Sequence, residues 1–400
     1  MKVLVADKLE DSGRRGLAEA GCDVLYQPEL NGDALTKAIA DSGAEVLVVR
    51  STQVTRPMLV GGRLALVVRA GAGTNTIDVK AASELGIQVA NCPGKNAIAV
   101  AELAFGLMLS LDRHLVDGAS DLRSGKWNKK AYSNAKGLFG RTLGLLGTGR
   151  IGQEMIVRAK AFGMPVVAWS RSLTEAHAQE LGVSYAASPT EVAARCDILS
   201  VHLALAGDTR GLVGDGVFAS MRPGSFFINT SRAEVVDEAA LKDAVAERGI
   251  RAGLDVFVGE PETGTGAVDA PLFSLPGVIG SHHVGASTDQ AQEATAAETV
   301  RIVRLFRQTR RAPNVVNLAK QSPATHLLVV RHRDRVGVLA AVFDCLKQAG
   351  VNVQETENLV FEGAHAAVAR IHVDHAPSEA DVAAVRASSE HVLDAAVVAL

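Results

Sequence analysis

The chain has 400 residues, 48% of them apolar and 21% charged, with a formal net charge of −3. That length is too great for one hydrophobic core and predicts two or three domains, and the composition excludes a disordered chain. The near-neutral balance argues against nucleic acid or an anionic membrane surface as a partner.

The apolar run at residues 2–6 is interrupted by Asp7, so it is too short for a signal-peptide core and predicts a first strand. Further strands are expected at 46–50, 65–69 and 87–91, separated by helical stretches such as 35–42 and 79–85. Cys92-Pro93-Gly94 breaks this series, and an apolar helix opens near Ala97. Its stretch 97–111 carries Glu102 and falls short of a membrane span, so a cytoplasmic location with no membrane partner is expected. A second series of strands follows at 142–147, 166–169, 198–202, 226–229 and 253–257, which makes two successive α/β units. Residues 289–307 read as one amphipathic helix whose basic end suits a helix C-terminus. Residues 312–325 hold two prolines and little periodicity, as a linker does. The remainder reads strand 327–331, helix 338–348, strands 351–355 and 366–373, a helix from Ser378 and an apolar end, the β-α-β-β-α-β order of ferredoxin-like domains. Cys22, Cys92, Cys196 and Cys345 are scattered, with no CxxC and no histidine to complete a zinc set, so they read as reduced thiols and no metal is expected.

Three groups of residues carry chemistry. Gly147-Thr148-Gly149-Arg150-Ile151-Gly152 is a GxGxxG placed where a strand gives way to a helix, the context in which a glycine-rich turn binds a dinucleotide pyrophosphate. About twenty residues on, the position that usually carries an acidic ribose ligand reads Ser170-Arg171. That pair favours NADP over NAD, because it can pair with a 2′-phosphate that a carboxylate would repel. The alternative is NAD held through hydroxyls alone, with Arg171 solvated. Finally, Arg232 follows one predicted strand, Glu260 comes shortly after another and His283 precedes the predicted helix 289–307, and together they would suffice to reduce a 2-keto acid. Arginine grips the carboxylate and polarises the carbonyl, histidine exchanges the proton, and glutamate orients and charges the histidine.

With these motifs, and with Arg69-Ala70-Gly71-Ala72-Gly73, Asn91-Cys92-Pro93-Gly94-Lys95-Asn96, Leu254-Asp255-Val256-Phe257 and His283-Val284-Gly285-Ala286-Ser287, the sequence resembles the D-isomer-specific 2-hydroxyacid dehydrogenase family over essentially its whole length. Within that family it is most similar to the 3-phosphoglycerate dehydrogenases that carry a C-terminal ACT domain. The resemblance implies an α/β chain with two doubly wound parallel-sheet domains. One is a flavodoxin-like substrate domain (1–97 and 288–311) and the other a Rossmann cofactor domain (98–287). A linker (312–325) and a ferredoxin-like ACT domain (326–400) follow. It implies His283 as acid/base, Glu260 as its partner and Arg232 as carboxylate and carbonyl binder. For the cofactor, NAD or NADP, it implies the Gly147 loop with Arg150 and Ile151, then Ser170, Arg171, Thr230, Ser231 and Gly285, with Asp255 on the nicotinamide carboxamide. For a phosphorylated hydroxy acid it implies Arg50, Ser51, Arg69, Gly71, Gly73, Asn96 and Lys129, the last standing where some relatives have arginine. In the ACT domain His332, Asp334 and Asn352 match positions that hold an amino-acid effector, although Asp334 replaces a typical asparagine and would repel an effector carboxylate. A homodimer or homotetramer is the family expectation. The expected activity is oxidation of 3-phospho-D-glycerate in L-serine biosynthesis. The rivals are an NADPH-dependent hydroxypyruvate or glyoxylate reductase and a non-catalytic, cofactor-sensing binding protein.

Overall fold

The computed structural model describes residues 1–261 and 265–400, in two compact units, Met1–Asn317 and Leu318–Leu400.

The first unit is built on two parallel sheets. Strands β1 (Lys2–Val5), β2 (Asp23–Tyr26), β3 (Val46–Val49), β4 (Leu66–Arg69) and β5 (Gln88–Asn91) lie in the order β2-β1-β3-β4-β5. This is the flavodoxin-like order. Both faces are covered, which is why β1 and β3 read as unbroken apolar runs. Leu4, Leu47 and Val49 pack with Leu35 and Ile39 on one side, and Val3, Val46 and Val48 pack with Leu17 and Phe306 on the other.

The second sheet contains β6 (Leu143–Leu146), β7 (Val166–Trp169), β8 (Ser184–Tyr185), β9 (Ile198–Val201), β10 (Phe226–Asn229), β11 (Arg251–Leu254) and β12 (Val278–Gly280). Its order is β12-β11-β10-β9-β6-β7-β8, so the direction of winding reverses between β6 and β9, where open α/β sheets hold their ligands. Strands β2, β8 and β12 are absent from the sequence expectation because they are short and partly exposed sheet-flanking segments. Strand β11 lies earlier than the expected 253–257. Small Ala252 and Gly253 form it, because a Cβ on Gly253 would stand only 3.0 Å from Leu107 Cβ, and Asp255 to Phe257 are thereby released into the loop that follows.

Two helices cross between the sheets. Helix Ala97–Arg113 buries Ala104, Phe105, Met108 and Leu111 against Leu145 and Ile228 of the second sheet. Helix Asp289–Thr309, capped by the Thr288 hydroxyl, returns to bury Ala296, Ile302, Val303 and Phe306 on the first. Residues 312–317 do not behave as the expected linker: the Val316 amide donates to Val89 O at 2.8 Å, and the Asn317 side chain bonds Val89 and Ile87, extending the first unit to Asn317. Helix Leu115–Arg123 has no buried residue, and Trp127 beyond it is 80% exposed. No helix of the described residues is long and apolar enough to cross a membrane.

The second unit runs β13 (His326–Arg333), helix Val338–Gln348, β14 (Val353–Val360), β15 (Ala366–Val373), helix Glu379–Ala387 and β16 (Val392–Ala399). Its sheet is antiparallel in the order β14-β15-β13-β16, with Val342, Leu346, Val382 and Val385 of the helices packed on Leu328, Val330, Ala369 and Ile371. Strand β14 continues to Val360, past the expected 355, through polar residues that an exposed edge tolerates.

Candidate active site

A cleft of about 1080 Å³ opens where the carboxyl ends of both parallel sheets of the first unit converge. Arg50, Ser51, Arg69, Gly71 and Asn96 line it from the first sheet and its crossover, and Arg232, Glu260 and His283 from the second.

His283 Nδ1 lies 2.7 Å from Glu260 Oε2, while Glu260 Oε1 accepts the Phe257 amide at 2.9 Å. An ionised Glu260 fixes the proton on Nδ1 and leaves Nε2 available to a substrate proton. Burial pushes the Glu260 carboxyl up, but the hydrogen bonds from His283 and Phe257 and the charges of His283 and Arg232 outweigh it, so the net shift is downward. His283 has φ 52°, in the left-handed region. Asp255, 1% exposed, stands behind it. Its Oδ1 accepts Ser281 Oγ at 2.7 Å and the Val284 amide at 2.9 Å, and its Oδ2 accepts the Gly285 amide at 2.8 Å.

Arg232 is held by Asn229, a buried residue at the end of β10. Asn229 Oδ1 accepts the Ser231 amide and hydroxyl at 3.0 and 2.7 Å, and its Nδ2 donates to Arg232 O at 3.1 Å. A Cβ on Gly73 would come within 2.5 Å of Arg232 Nη2, so that glycine leaves room for the guanidinium. Arg69 folds back over Gly71, where any Cβ would collide with its Nη1. Burial, then the charges of Arg232 and Arg50, bring the Arg69 guanidinium down to about 10, and its buried Nε has no hydrogen-bond partner among the described residues. Arg50 Nη1 donates to Gln292 Oε1 at 3.1 Å, and Asp7 Oδ2 gathers the amides of residues 50, 51 and 52 at 2.6, 3.1 and 3.0 Å. Asp7, Asn229, Ser281 and Gln292 are absent from the expected site. Their only signal is an Asx or serine at a parallel-strand end, and for Gln292 one helical turn after the Thr288 cap.

The glycine loop has a separate reason at each position. Gly147 has φ 105°, and a Cβ there would stand 2.5 Å from His202 O, so the turn closes tightly on β9. A Cβ on Gly152 would strike the Gly147 carbonyl, which lets helix Arg150–Ala161 sit directly on the turn. Gly149 faces open space, and its φ of −68° suits any residue. A tight turn, an open approach and a helix N-terminus fit a dinucleotide pyrophosphate. Gly149→Ala is therefore expected to change stability by less than about 0.5 kcal/mol while weakening cofactor binding roughly tenfold or more. Gly152→Ala is expected to lose both, and titration with the reduced cofactor beside thermal melting checks the contrast. Arg150 lies across Gly94 of the crossover turn, and Ile151 packs on the core. The Thr230 hydroxyl is buried without a partner among the described residues. Ser170 Oγ is 2.9 Å from Thr148 Oγ1, and Arg171 pairs with Asp208 at 2.6 Å, both side chains more than half exposed.

Two expected substrate residues do not line the cleft: Gly73 backs the Arg232 guanidinium, and Lys129 lies in an exposed segment, its carbonyl accepting Ser133 Oγ. In the second unit His332 is 1% exposed with its ring 2.9 Å from Arg333 O and 3.1 Å from Asn358 Oδ1. The Asp334 amide donates to His365 O, and the exposed Asn352 bonds Asp374 through its amide.

Residues 105–285 match the family model described as "D-isomer specific 2-hydroxyacid dehydrogenase, NAD binding domain". The hydroxypyruvate reductase of Thermotoga maritima is 41% identical over 75% of this chain and 96% of its own length. The chain belongs to the D-isomer-specific 2-hydroxyacid dehydrogenase family. Another family relative, the D-3-phosphoglycerate dehydrogenase of Mycobacterium tuberculosis, is 36% identical over 90% of this chain and 67% of its own length. The solved TT0316 protein of Thermus thermophilus superposes with a TM-score of 0.70 at 30% identity, covering 79% of this chain and all of that one. The chain spans between 55 and 67% of the length of the D-3-phosphoglycerate dehydrogenases it matches.

Proposed function

We propose that this chain transfers a hydride reversibly between 3-phospho-D-glycerate and a nicotinamide cofactor, in L-serine biosynthesis. The observation that carries this reading is the trio Arg50, Arg69 and Arg232, which lines one cleft with none of the three in an ion pair among the described residues. Glu10 and Glu234 also line the cleft, yet neither pairs with them. One substrate carboxylate occupies one guanidinium, and a half-buried arginine beside two others, with no ion pair among the described residues, calls for a second anionic group, as phosphate supplies. The match to a 3-phosphoglycerate dehydrogenase also reaches into the second unit, because 90% of the chain is more than residues 1–317.

In the mechanism, Arg232 grips the substrate carboxylate and polarises the C2 oxygen, while Arg50 and Arg69 hold the far anionic end. His283 Nε2 takes the hydroxyl proton, and Glu260 stabilises the imidazolium that results. The Gly147 loop, with Arg150, Thr230 and Ser231, would hold the cofactor, whose nicotinamide supplies hydride acceptance when bound. Ser170 and the exposed Arg171, whose pair with Asp208 is weak enough to exchange, favour NADP. For the second unit we propose an ACT-like domain. The burial of His332 and its two ring contacts support a structural role for it over effector binding. The exposed Leu115, Leu122 and Trp127 support a homo-oligomer.

The test is kcat/KM for 3-phosphoglycerate oxidation, and for hydroxypyruvate and glyoxylate reduction, each with both cofactors. Losing the phosphate should cost roughly 10²-fold or more, the worth of one or two charge-assisted hydrogen bonds. The near-complete coverage of a hydroxypyruvate reductase keeps a second reading, reduction of unphosphorylated keto acids with NADPH. Equal or better efficiency on hydroxypyruvate would establish it.

A further inference from the structure

Five described non-glycine residues have positive φ: His114, His283, Arg310, Asn314 and Ala364. His114 and Arg310 end helices, where a left-handed residue is the ordinary stop, and asparagine tolerates that region. Ala364 turns the connection from β14 to β15. His283, although histidine visits this region more readily than most side chains, ends no helix and turns no hairpin. A histidine stays in such a conformation only where its surroundings over-determine it.

The surroundings are unusually complete. The Ser281 amide donates to Leu254 O and the His283 amide to Asp255 O, both at 2.9 Å, so the loop runs on from β11 as an irregular extension of the sheet. The Asp255 carboxylate then takes Ser281 Oγ and the Val284 and Gly285 amides, one donor group before His283 and two after it. A Cβ on Gly285 would lie 2.9 Å from Asp255 Oδ2, so glycine is what allows that amide so close. Oδ1 has two donors and Oδ2 one, on a side chain 1% exposed, so three of the roughly four acceptor positions of the carboxylate are spent on the loop that carries His283.

We infer that Asp255 and Ser281 are positioning residues, a buried carboxylate and hydroxyl that clamp both flanks of His283 and aim its ring between Glu260 and the substrate. The inference rests on the acid/base reading of His283, and it gives Asp255 a task in addition to the nicotinamide contact that the family resemblance implies.

The test compares Ser281→Ala, Ser281→Thr and Asp255→Asn in single-turnover hydride transfer, substrate KM, reduced-cofactor Kd and thermal melting. The hydride-transfer rate should fall about three- to tenfold in Ser281→Ala and tenfold or more in Asp255→Asn. Substrate KM and cofactor Kd should stay within about twofold in Ser281→Ala, and Ser281→Thr, which keeps the hydroxyl, should restore the rate. Should Asp255→Asn fail to fold, the serine pair decides. A raised cofactor Kd in Asp255→Asn with an unchanged transfer rate would make Asp255 a cofactor contact and overturn the inference, as would a wild-type rate in Ser281→Ala. His283→Ala is run alongside: if it keeps wild-type turnover, the acid/base reading fails. If it is inactive while the clamp variants transfer hydride normally, only the clamp fails.

Discussion

His283→Ala should turn over about 10²–10⁴-fold more slowly than the wild type, with cofactor affinity almost unchanged. The size follows from what is removed: among the described residues the ring is the only group in the cleft held by a carboxylate on one nitrogen with the other left to face a substrate. Glu260→Gln separates orientation from charge, because the amide can still accept from Nδ1 but cannot stabilise imidazolium. It should lower turnover less and alter the pH profile of kcat/KM. The sign can be worked out for stability as well. A carboxyl held below its ordinary value in the fold contributes stability above pH 4.5 that is lost as pH falls through the depressed value. The melting-temperature gap between wild type and Glu260→Gln should therefore close on acidification. Wild-type turnover in His283→Ala would remove the residue from the chemistry.

Arg69→Met should stabilise the free protein while impairing it as an enzyme. The guanidinium is largely buried, its Nε lacks a partner among the described residues, and burial with the charges of Arg232 and Arg50 brings it down to about 10. For a cation the sign is unfavourable to the fold: at pH 7 the charged form is held where it is less stable than in water. Methionine fills similar space without charge, so a gain of about 1–3 kcal/mol and a melting temperature a few degrees higher are expected. In the same variant kcat/KM for the phosphorylated acid should drop by about 10²-fold. Inorganic phosphate should raise the melting temperature of the wild type more than that of the variant. A variant that melts lower, or that keeps its efficiency, would show that Arg69 is a packing residue.

Much of this architecture is legible in the chain. Buried parallel strands such as Val46–Val49 and Leu143–Leu146 announce themselves as runs of β-branched, aliphatic and small residues with no polar side chain, and the glycine loop carries its geometry in its spacing. Strand β11 misleads because its sheet residues, Ala252 and Gly253, are chosen for closeness to a helix rather than for strand propensity, while Val256 and Phe257 belong to a loop. The edge strands and helix Leu115–Arg123 escape because periodicity reports burial and they have little of it. At the site, charged residues in recognisable wording can be read, but the side chains that aim them cannot. Asp7, Asn229 and Asp255 each sit at a strand end and bind backbone amides of a loop distant or near in sequence, a pairing that only the closed fold reveals.

Arg50 and Arg69 stand on the small sheet, whereas Arg232 and His283 stand on the other, with two long helices as the bridges between them. A ligand that reaches both lobes does more than fill a cleft. With the proposed phosphorylated acid, its remote charge would supply the work of drawing the halves together, so that shortening the substrate would subtract from the speed of the reaction and not merely from its tightness of binding. Adding free phosphite to a truncated hydroxy acid should then quicken a reaction in which the phosphite itself is never consumed.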